Sequence, residues 1–410
     1  MGKCPNCGEW NTLAEKKKSP ASVSVSPFTM TTLEKIKTGK KERMQTGIHE
    51  LDRVLGGGFV PGEVVFLSGE PGVGKSTLLL QALRNLSTIY VSGEESGTQV
   101  RDRAARLELQ LSHISFSETT QVEGIVEGIK ALARKPDLLV IDSIQTVYCS
   151  SVESPPGSIN QLKESASRLI DMAKQTGIVI IIVGHITKDG DIAGPKTLEH
   201  VVDCVITFEG DNASNFRILR SSKNRFGATD EVGIFEMGEK GLAEVTDPLA
   251  FIKDVSLPQP GKSVVGILEG RRPLFLEVQT LAVPTSLSMP RRVVKGVDYN
   301  KVQLLMAVMK KHLSIQLDGY DIYVNVIGGV RITSPLADLG IIASLYSSIK
   351  NIPVPQKTLF VGEVGLLGEV RPFPAEEKIT KEAKRLKFKL LYTPHTVRAI
   401  SQIRNLILSG

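Results

Sequence analysis

Nine residues, Gly69-Glu70-Pro71-Gly72-Val73-Gly74-Lys75-Ser76-Thr77, constrain the fold of this chain more than any other stretch. They follow an apolar run, Val64–Ser68, that reads as a strand, and they open into Lys75–Asn85, which reads as a helix. A strand that turns through glycines into a helix lets backbone N–H groups converge on phosphate at the helix N-terminus. In such a loop Lys75 neutralises the β/γ oxygens and the Ser76 hydroxyl ligates Mg²⁺, so the implied cofactors are ATP and Mg²⁺.

The rest of the first half has the alternation that such a loop requires. Ile89–Ser92, Ile114–Ser117, Leu138–Ile141 and Ile178–Val183 read as strands, with helices over Thr98–Leu109 and Ile159–Thr176. Apolar strands alternating with helices predict a doubly wound sheet covered on both faces. After about Val205 the segments shorten, and Val205–Phe208, Phe216–Ser222 and Gly233–Glu236 read as antiparallel strands. Leu257-Pro258-Gln259-Pro260-Gly261 marks a boundary, and strand Ile322–Val326 with helices Val302–His312 and Leu336–Ile349 predicts a second α/β or α+β domain. The expected organisation is a ligand module at 1–14, a flexible Lys/Ser/Pro-rich linker at 15–43, an ATPase domain at 44–250, a linker at 251–262 and a C-terminal domain at 263–410.

Strand ends supply the chemistry. Asp142 closes an apolar strand beyond the loop and is placed to hold Mg²⁺ through water. Glu94 and Glu95 follow the strand after the loop's helix; one of them could orient and deprotonate the attacking water, or the two could be an acidic pair favoured at a helix N-terminus. His185, at the end of the next strand, is placed to sense the γ-phosphate and relay its loss to the loop at 187–195, or is simply a satisfied polar group. Lys223 and Arg225, in Lys223-Asn224-Arg225-Phe226-Gly227, could reach a neighbouring subunit's γ-phosphate as fingers acting in trans, or form a charged turn.

Charge adds a hint of partners. The 410 residues carry a net +6, but residues 1–45 carry +5, residues 46–250 carry −9 and residues 251–410 carry +10. Basic flanks around an acidic middle suit a polyanion, because they attract phosphate backbones through counterion release. The longest apolar run, Ile178–Val183, is far short of the roughly 20 residues that cross a bilayer, no export signal opens the chain, and four cysteines make no disulfide framework. A cytoplasmic protein with no membrane partner is expected.

Several stretches together resemble the bacterial RadA/Sms DNA-repair ATPases: Thr46-Gly47-Ile48-His49-Glu50-Leu51-Asp52-Arg53-Val54-Leu55-Gly56-Gly57-Gly58, the phosphate loop, Tyr90-Val91-Ser92-Gly93-Glu94-Glu95-Ser96 and Lys223-Asn224-Arg225-Phe226-Gly227. The resemblance covers nearly the whole chain. It implies an α/β fold with a RecA-like doubly wound P-loop core, a ring of subunits, hexameric in the family, with ATP at the interfaces, and an ATP-driven role in homologous recombination on single-stranded and branched DNA beside a RecA-type recombinase. By the same resemblance Glu94 is the catalytic carboxylate and Lys223 acts across the interface. The family opens with a four-cysteine zinc module, whereas this chain has only Cys4-Pro5-Asn6-Cys7, matching the second pair. Two thiolates do not close a tetrahedral site, so zinc is expected only if the module is completed, and the chain is expected to start inside it.

The C-terminal part resembles the proteolytic domain of Lon, through Asp321–Val326 and Gly362–Val370. Lon cleaves peptides with a Ser–Lys pair, which raises an ATP-dependent protease as the main rival function; a third reading is a KaiC-like signalling ATPase, which shares the core but has no such second domain. Aligning Lon's Pro-Ser-Ala-Gly turn with Pro335-Leu336-Ala337-Asp338 puts Leu336 in the serine's place and Glu377 in the lysine's, although Ser334 and Lys378 are adjacent. Loss of peptidase chemistry is therefore expected, leaving a basic scaffold with Arg291, Arg292, Lys384, Arg385 and Lys387 as candidate DNA contacts.

Overall fold

In a computed structural model, the structure describes residues 30–32, 34, 42–185, 195–210, 215–252 and 258–408. Cys4, Cys7, nearly all of the expected linker and the loop after His185 lie outside them. The chain divides into two compact units, Met1–Lys41 and Glu42–Gly410, and the second carries both large sheets.

The first sheet is built from α1 (His49–Leu55), β1 (Val64–Gly69), α2 (Lys75–Ala82), β2 (Thr88–Ser92), α3 (Gly97–Arg106), β3 (Ile114–Ser117), α4 (Val122–Ala131), β4 (Leu138–Asp142), α5 (Ile159–Thr176), β5 (Val179–His185), α6 (Pro195–Glu199), β6 (Cys204–Gly210), β7 (Phe216–Asn224), β8 (Val232–Gly238) and β9 (Gly241–Glu244). Its nine strands run in the order β3-β2-β4-β5-β1-β6-β7-β8-β9. Alternate residues of β1 enter different cores: Val65 and Leu67 pack with Leu78 and Leu79 of α2, while Val64 and Phe66 pack with Ala166 and Leu169 of α5. A strand buried on both faces needs a continuous apolar run, which β1, β4 and β5 supply. Helix α5 buries Leu162, Ala166, Leu169, Ile170 and Ala173, the spacing of one helical face, and stops at Gly177 with φ 76°.

One strand differs from the sequence reading. β6 is parallel to β1 and only its other edge pairs antiparallel with β7, so the parallel sheet extends one strand further than expected. The connection through α6 returns the chain in the parallel sense; a strand's own pattern carries no record of direction.

The second sheet, in the order β12-β13-β11-β10-β14-β17, comprises β10 (Lys262–Glu269), β11 (Arg272–Pro284), β12 (Arg292–Lys295), β13 (Tyr320–Val326), β14 (Thr358–Phe360) and β17 (Leu390–Tyr392), with the hairpin β15 (Glu363–Val364) and β16 (Val370–Arg371) beside it. Helices α7 (Tyr299–Leu313), α8 (Asp338–Lys350), α9 (Glu376–Arg385) and α10 (Ile403–Leu408) complete this part. A Cβ on Gly340 of α8 would meet Val265, and one on Gly266 would meet Ile379 of α9, so α8 and α9 cover opposite faces.

The two sheets share a core. Ile218, Ile234 and Phe251 pack with Leu274, Phe275 and Val326, and Phe251 and Ile252, at the start of the expected 251–262 linker, are buried in it. A buried ion pair adds to the junction: Arg272 Nη1 lies 2.6 Å from Glu50 Oε2, which also accepts from the Ile234 N–H at 2.9 Å. Removing one partner of such a pair typically costs about 3–5 kcal/mol.

Below the sheet, at the start of β1, Glu63 is fully buried; its Oε2 accepts from the Val60 N–H at 2.9 Å and its Oε1 has no protein partner. Burial, reinforced by Asp203 and opposed by Arg43, pushes the carboxyl up to about 7 from 4.5. A carboxyl raised in the folded state contributes stability at low pH that is lost as pH climbs from about 4.5 through about 7. Glu63→Gln should therefore flatten the stability profile in that window and be more stable than the parent at pH 8 by on the order of 3 kcal/mol. Urea unfolding of both proteins from pH 4 to 8 checks this; parallel profiles would refute it.

Candidate nucleotide site

The loop between β1 and α2 is confined by glycines. A Cβ on Gly69 would come within 2.5 Å of the Phe208 carbonyl oxygen in β6, and Gly74, the N-cap of α2, has φ 112°. Only glycine meets both demands, a close backbone approach and a left-handed turn. Glu70, Pro71 and Gly72 are exposed while Val73 and Lys75 are buried, and Ser76 and Thr77 are half-buried at the start of the helix.

Lys75 is at the centre of the site. Its Nζ donates to the carbonyls of Gly69 at 2.9 Å and Glu70 at 3.0 Å, and lies 3.1 Å from Nδ1 of His185. Burial lowers the pKa of this ammonium, while the carboxylates of Asp142 and Glu94 work in the other direction. An ammonium can only donate, so Nδ1 of His185 accepts and its Nε2–H donates, reaching both carboxylate oxygens of Glu94 at 3.1 Å. Lys75, His185 and Glu94, from three separate strand ends, thus form one hydrogen-bonded chain.

Its neighbours separate the two acidic candidates. Glu94 also accepts from the hydroxyl of Ser143, which follows Asp142. Glu95 turns away into a fork with Arg103 of α3, Nη2 to Oε1 at 2.6 Å, a pairing that raises the arginine's pKa further. Register explains the gathering: Ser92 of β2 pairs with Asp142 of β4, so both strands end at one level beside β5.

Asp142 Oδ2 accepts from Ser76 Oγ at 3.1 Å and from the Tyr90 hydroxyl. Burial pushes the Asp142 carboxyl up, held back by those two hydrogen bonds, and burial with the adjacent carboxylate pushes the Tyr90 phenol well up, so it remains a donor. A hydroxyl and a carboxylate that converge at the first turn of α2 are the hard oxygen donors that Mg²⁺ prefers, so the residues fit the ion. Among the described residues there is no group of three or more His, Cys, Asp or Glu that could hold a further metal.

Sequence reasoning missed Tyr90 and Ser143, and also Arg217 of β7, a buried guanidinium whose Nε donates to the Val73 carbonyl of the loop at 3.0 Å. An arginine between Phe216 and Ile218 in an otherwise apolar strand was the available signal.

Lys223 and Arg225 lie elsewhere. Register places Lys223 opposite Val205 and thus level with Phe66, three residues before the loop, roughly 10 Å along the strand. Its ammonium donates to the carbonyls of Glu199 at 2.7 Å and His200 at 3.1 Å, and its pKa is lowered by desolvation and by Arg225. Arg225 pairs with Asp203 at 3.0 Å. The turn that follows docks on the glycines after α1: Arg43 bridges the carbonyls of Leu55, Gly58 and Phe226, and Asn224 donates to Val54.

The candidate DNA contacts are divided by the second sheet. Arg291 is exposed on the face that α9 covers, as are Lys384, Arg385 and Lys387 at the end of that helix, with Arg385 paired to Glu382. Arg292 points to the other face, where its guanidinium is engaged by the carbonyls of Tyr320 and Leu317. No helix among the described residues is long and apolar enough to cross a membrane.

Comparison with known proteins agrees with this geometry. Residues 44–243 match a family model described as ATPase: KaiC. The DNA repair protein RadA of Bacillus subtilis strain 168 is 45% identical, covering 96% of this chain and 89% of its own length. That of Listeria monocytogenes is 43% identical (96% and 88%), and that of Escherichia coli strain K12 is 41% identical (96% and 89%). Among solved structures, the RadB recombinase covers 49% of this chain and 98% of its own at 24% identity and a TM-score of 0.40. With the phosphate loop, Glu94, Asp142 and His185 in one site on a RecA-like core, and with this identity along nearly its whole length, the chain belongs to the RadA family of P-loop ATPases.

Proposed function

We propose that this chain is a DNA-dependent ATPase that processes branched recombination intermediates, by branch migration or strand extension on single-stranded DNA, in homologous recombination and DNA repair. The observation that carries the proposal is the Lys75–His185–Glu94 chain beside the Ser76–Asp142 pair. Glu94 acts as the base that orients and deprotonates water, Ser143 and His185 fix its carboxylate, and Lys75 draws the γ-phosphate into the loop. Ser76 and Asp142 would hold Mg²⁺, which would supply neutralisation of phosphate charge. His185 touches both Lys75 and Glu94, so a change at the γ-phosphate position reaches it from two sides and can pass to the chain that follows β5.

The DNA part rests on the 41–45% identity to proteins called DNA repair protein RadA and on the +10 carried by residues 251–410. A homo-oligomer, hexameric in the reading from resemblance, gives Lys223 and Arg225 their role in trans, since Lys223 is remote from its own loop. A RecA-type recombinase is the proposed partner. The C-terminal part we assign as a Lon-like scaffold without peptidase chemistry. Leu336, in the nucleophile's place, is buried, the Ser334 hydroxyl accepts from the Leu336 N–H at 3.4 Å, and Asp338, at the end of the turn, is paired with Lys301 at 2.7 Å.

The test is ATP hydrolysis by the full chain with and without single-stranded DNA over a range of salt, then displacement on a three-stranded branched substrate. Stimulation that fades steeply with salt is expected, together with no cleavage of an unfolded protein in the same reactions. An ATPase indifferent to DNA would favour the signalling reading instead.

A further inference from the structure

Two surface features remain unexplained by nucleotide chemistry. The first is the turn between β15 and β16, where Gly368 N–H donates to the Gly365 carbonyl at 3.0 Å and leaves Leu366 and Leu367 as the central pair. Such positions normally go to Gly, Pro, Asn, Asp or Ser. Here they are leucines, 64% and 81% exposed. The turn is also pre-formed: Nε2 of His312, in the last turn of α7, donates to the Leu366 carbonyl at 3.1 Å, and the His312 ring lies against Gly368. A rigid apolar tip loses little freedom on binding, which is the property of an anchor.

The second is a cavity of about 610 Å³ at the junction of the two sheets, with a floor that includes Phe216, Ile218, Val294 and Val297. Lys295 and Arg331 stand exposed at its edge, and no carboxylate pairs with either among the described residues. Tyr299, in the first turn of α7, also lines it. Tip and cavity are therefore at opposite ends of one fifteen-residue helix, about 20 Å apart. At the base of the tip Glu369 is paired with Arg371 at 2.7 Å, which leaves Glu363 as the carboxylate opposite in sign to Lys295 and Arg331. Of the two carboxylates that line the cavity itself, Glu209 is paired with Arg220 at 3.1 Å and Asp298 accepts from the Lys301 N–H at 2.9 Å.

We propose that Leu366 and Leu367 of one chain seat in the Phe216–Val297 cavity of a second copy, with Glu363 facing Lys295 and Arg331. An apolar knob at one end and a matching hole at the other make a heterologous contact, which repeats head to tail and closes into a ring when the rotation permits. The contact joins the C-terminal part of one copy to the reverse face of β6 and β7 in the next, the strand pair whose other face presents Arg217 to the phosphate loop. The inference rests on the oligomer reading above, and names the surface that makes the oligomer.

Sedimentation of the full chain, with and without Mg-ATP and single-stranded DNA, tests it. Leu366→Glu with Leu367→Glu changes exposed side chains only, so circular dichroism and melting should match the parent while assembly is lost. Each leucine alone should raise the half-assembly concentration roughly tenfold or more. Lys295→Glu with Arg331→Glu should also weaken assembly. Mixing the two double variants leaves one intact contact per pair, so dimers should form and no larger species. A parent that is monomeric in every condition would overturn the oligomer reading and this contact together. A parent that assembles as well after the leucine changes would leave the oligomer reading intact and overturn the contact. Loss of assembly only in the Lys295/Arg331 variant, or a mixture without dimers, would also overturn it.

Discussion

Lys75→Ala should reduce ATP turnover by at least 10²–10³-fold, the scale seen when a preorganised donor to developing charge is removed. Three groups now hold this one ammonium, the carbonyls of Gly69 and Glu70 and the ring of His185, and Lys75 is the one basic residue among residues 69–77. The variant loses the two hydrogen bonds to the loop carbonyls, but the close approach at Gly69 and the turn at Gly74 stay, so circular dichroism should show the fold retained. Steady-state phosphate release measures the effect, and a variant that hydrolyses ATP as fast as the parent would show that the site is misassigned. The same variant tests the role of Lys223 across an interface. Mixed with Lys223→Ala chains, it should regain part of the activity, because some interfaces then combine an intact loop with an intact Lys223. No recovery, with assembly shown intact, would count against action in trans.

Much of the first sheet was legible because parallel strands buried on both faces announce themselves as apolar runs, and the glycines of the loop fix where one strand must turn into a helix. What a single strand cannot reveal is its direction, which is why β6 was read with the antiparallel set. The choice of Glu94 over Glu95 came from the family resemblance, and the two residues by themselves left it open. In the structure it depends on Arg103, eight residues further on, which takes Glu95 out of the site, and on Ser143 and His185, which come from two other strands. Tyr90 escaped notice for the same reason: it looks like any aromatic in a strand until the β2–β4 register sets its hydroxyl against Asp142. Charge was the least informative property residue by residue. Arg291 and Arg292 are neighbours in sequence, yet strand alternation exposes one and directs the other to backbone carbonyls.

Glu94→Gln should leave nucleotide binding close to that of the parent and slow hydrolysis by about 10²–10⁴-fold, the range that general-base catalysis contributes. Glutamine keeps the shape of the side chain and can still accept from Ser143 and from His185, so the phosphate cradle and the Lys75 contacts are undisturbed. What it lacks is the proton-accepting charge. The effect should therefore fall on kcat and not on KM, the pattern of a group needed for the chemical step. Glu95→Gln is the control, because its partner is Arg103 and it makes no described contact with Lys75, His185 or Ser143. Loss of that ion pair, whose two side chains are both partly exposed, should cost at most about 1 kcal/mol and leave kcat nearly intact. Ser143→Ala should lie between the two, since it frees the Glu94 carboxylate to turn without removing it. Fluorescent-nucleotide binding and steady-state kinetics on the three variants give the ordering. If Glu95→Gln proved the inactive variant and Glu94→Gln the neutral one, the base would have to be reassigned despite the geometry at His185.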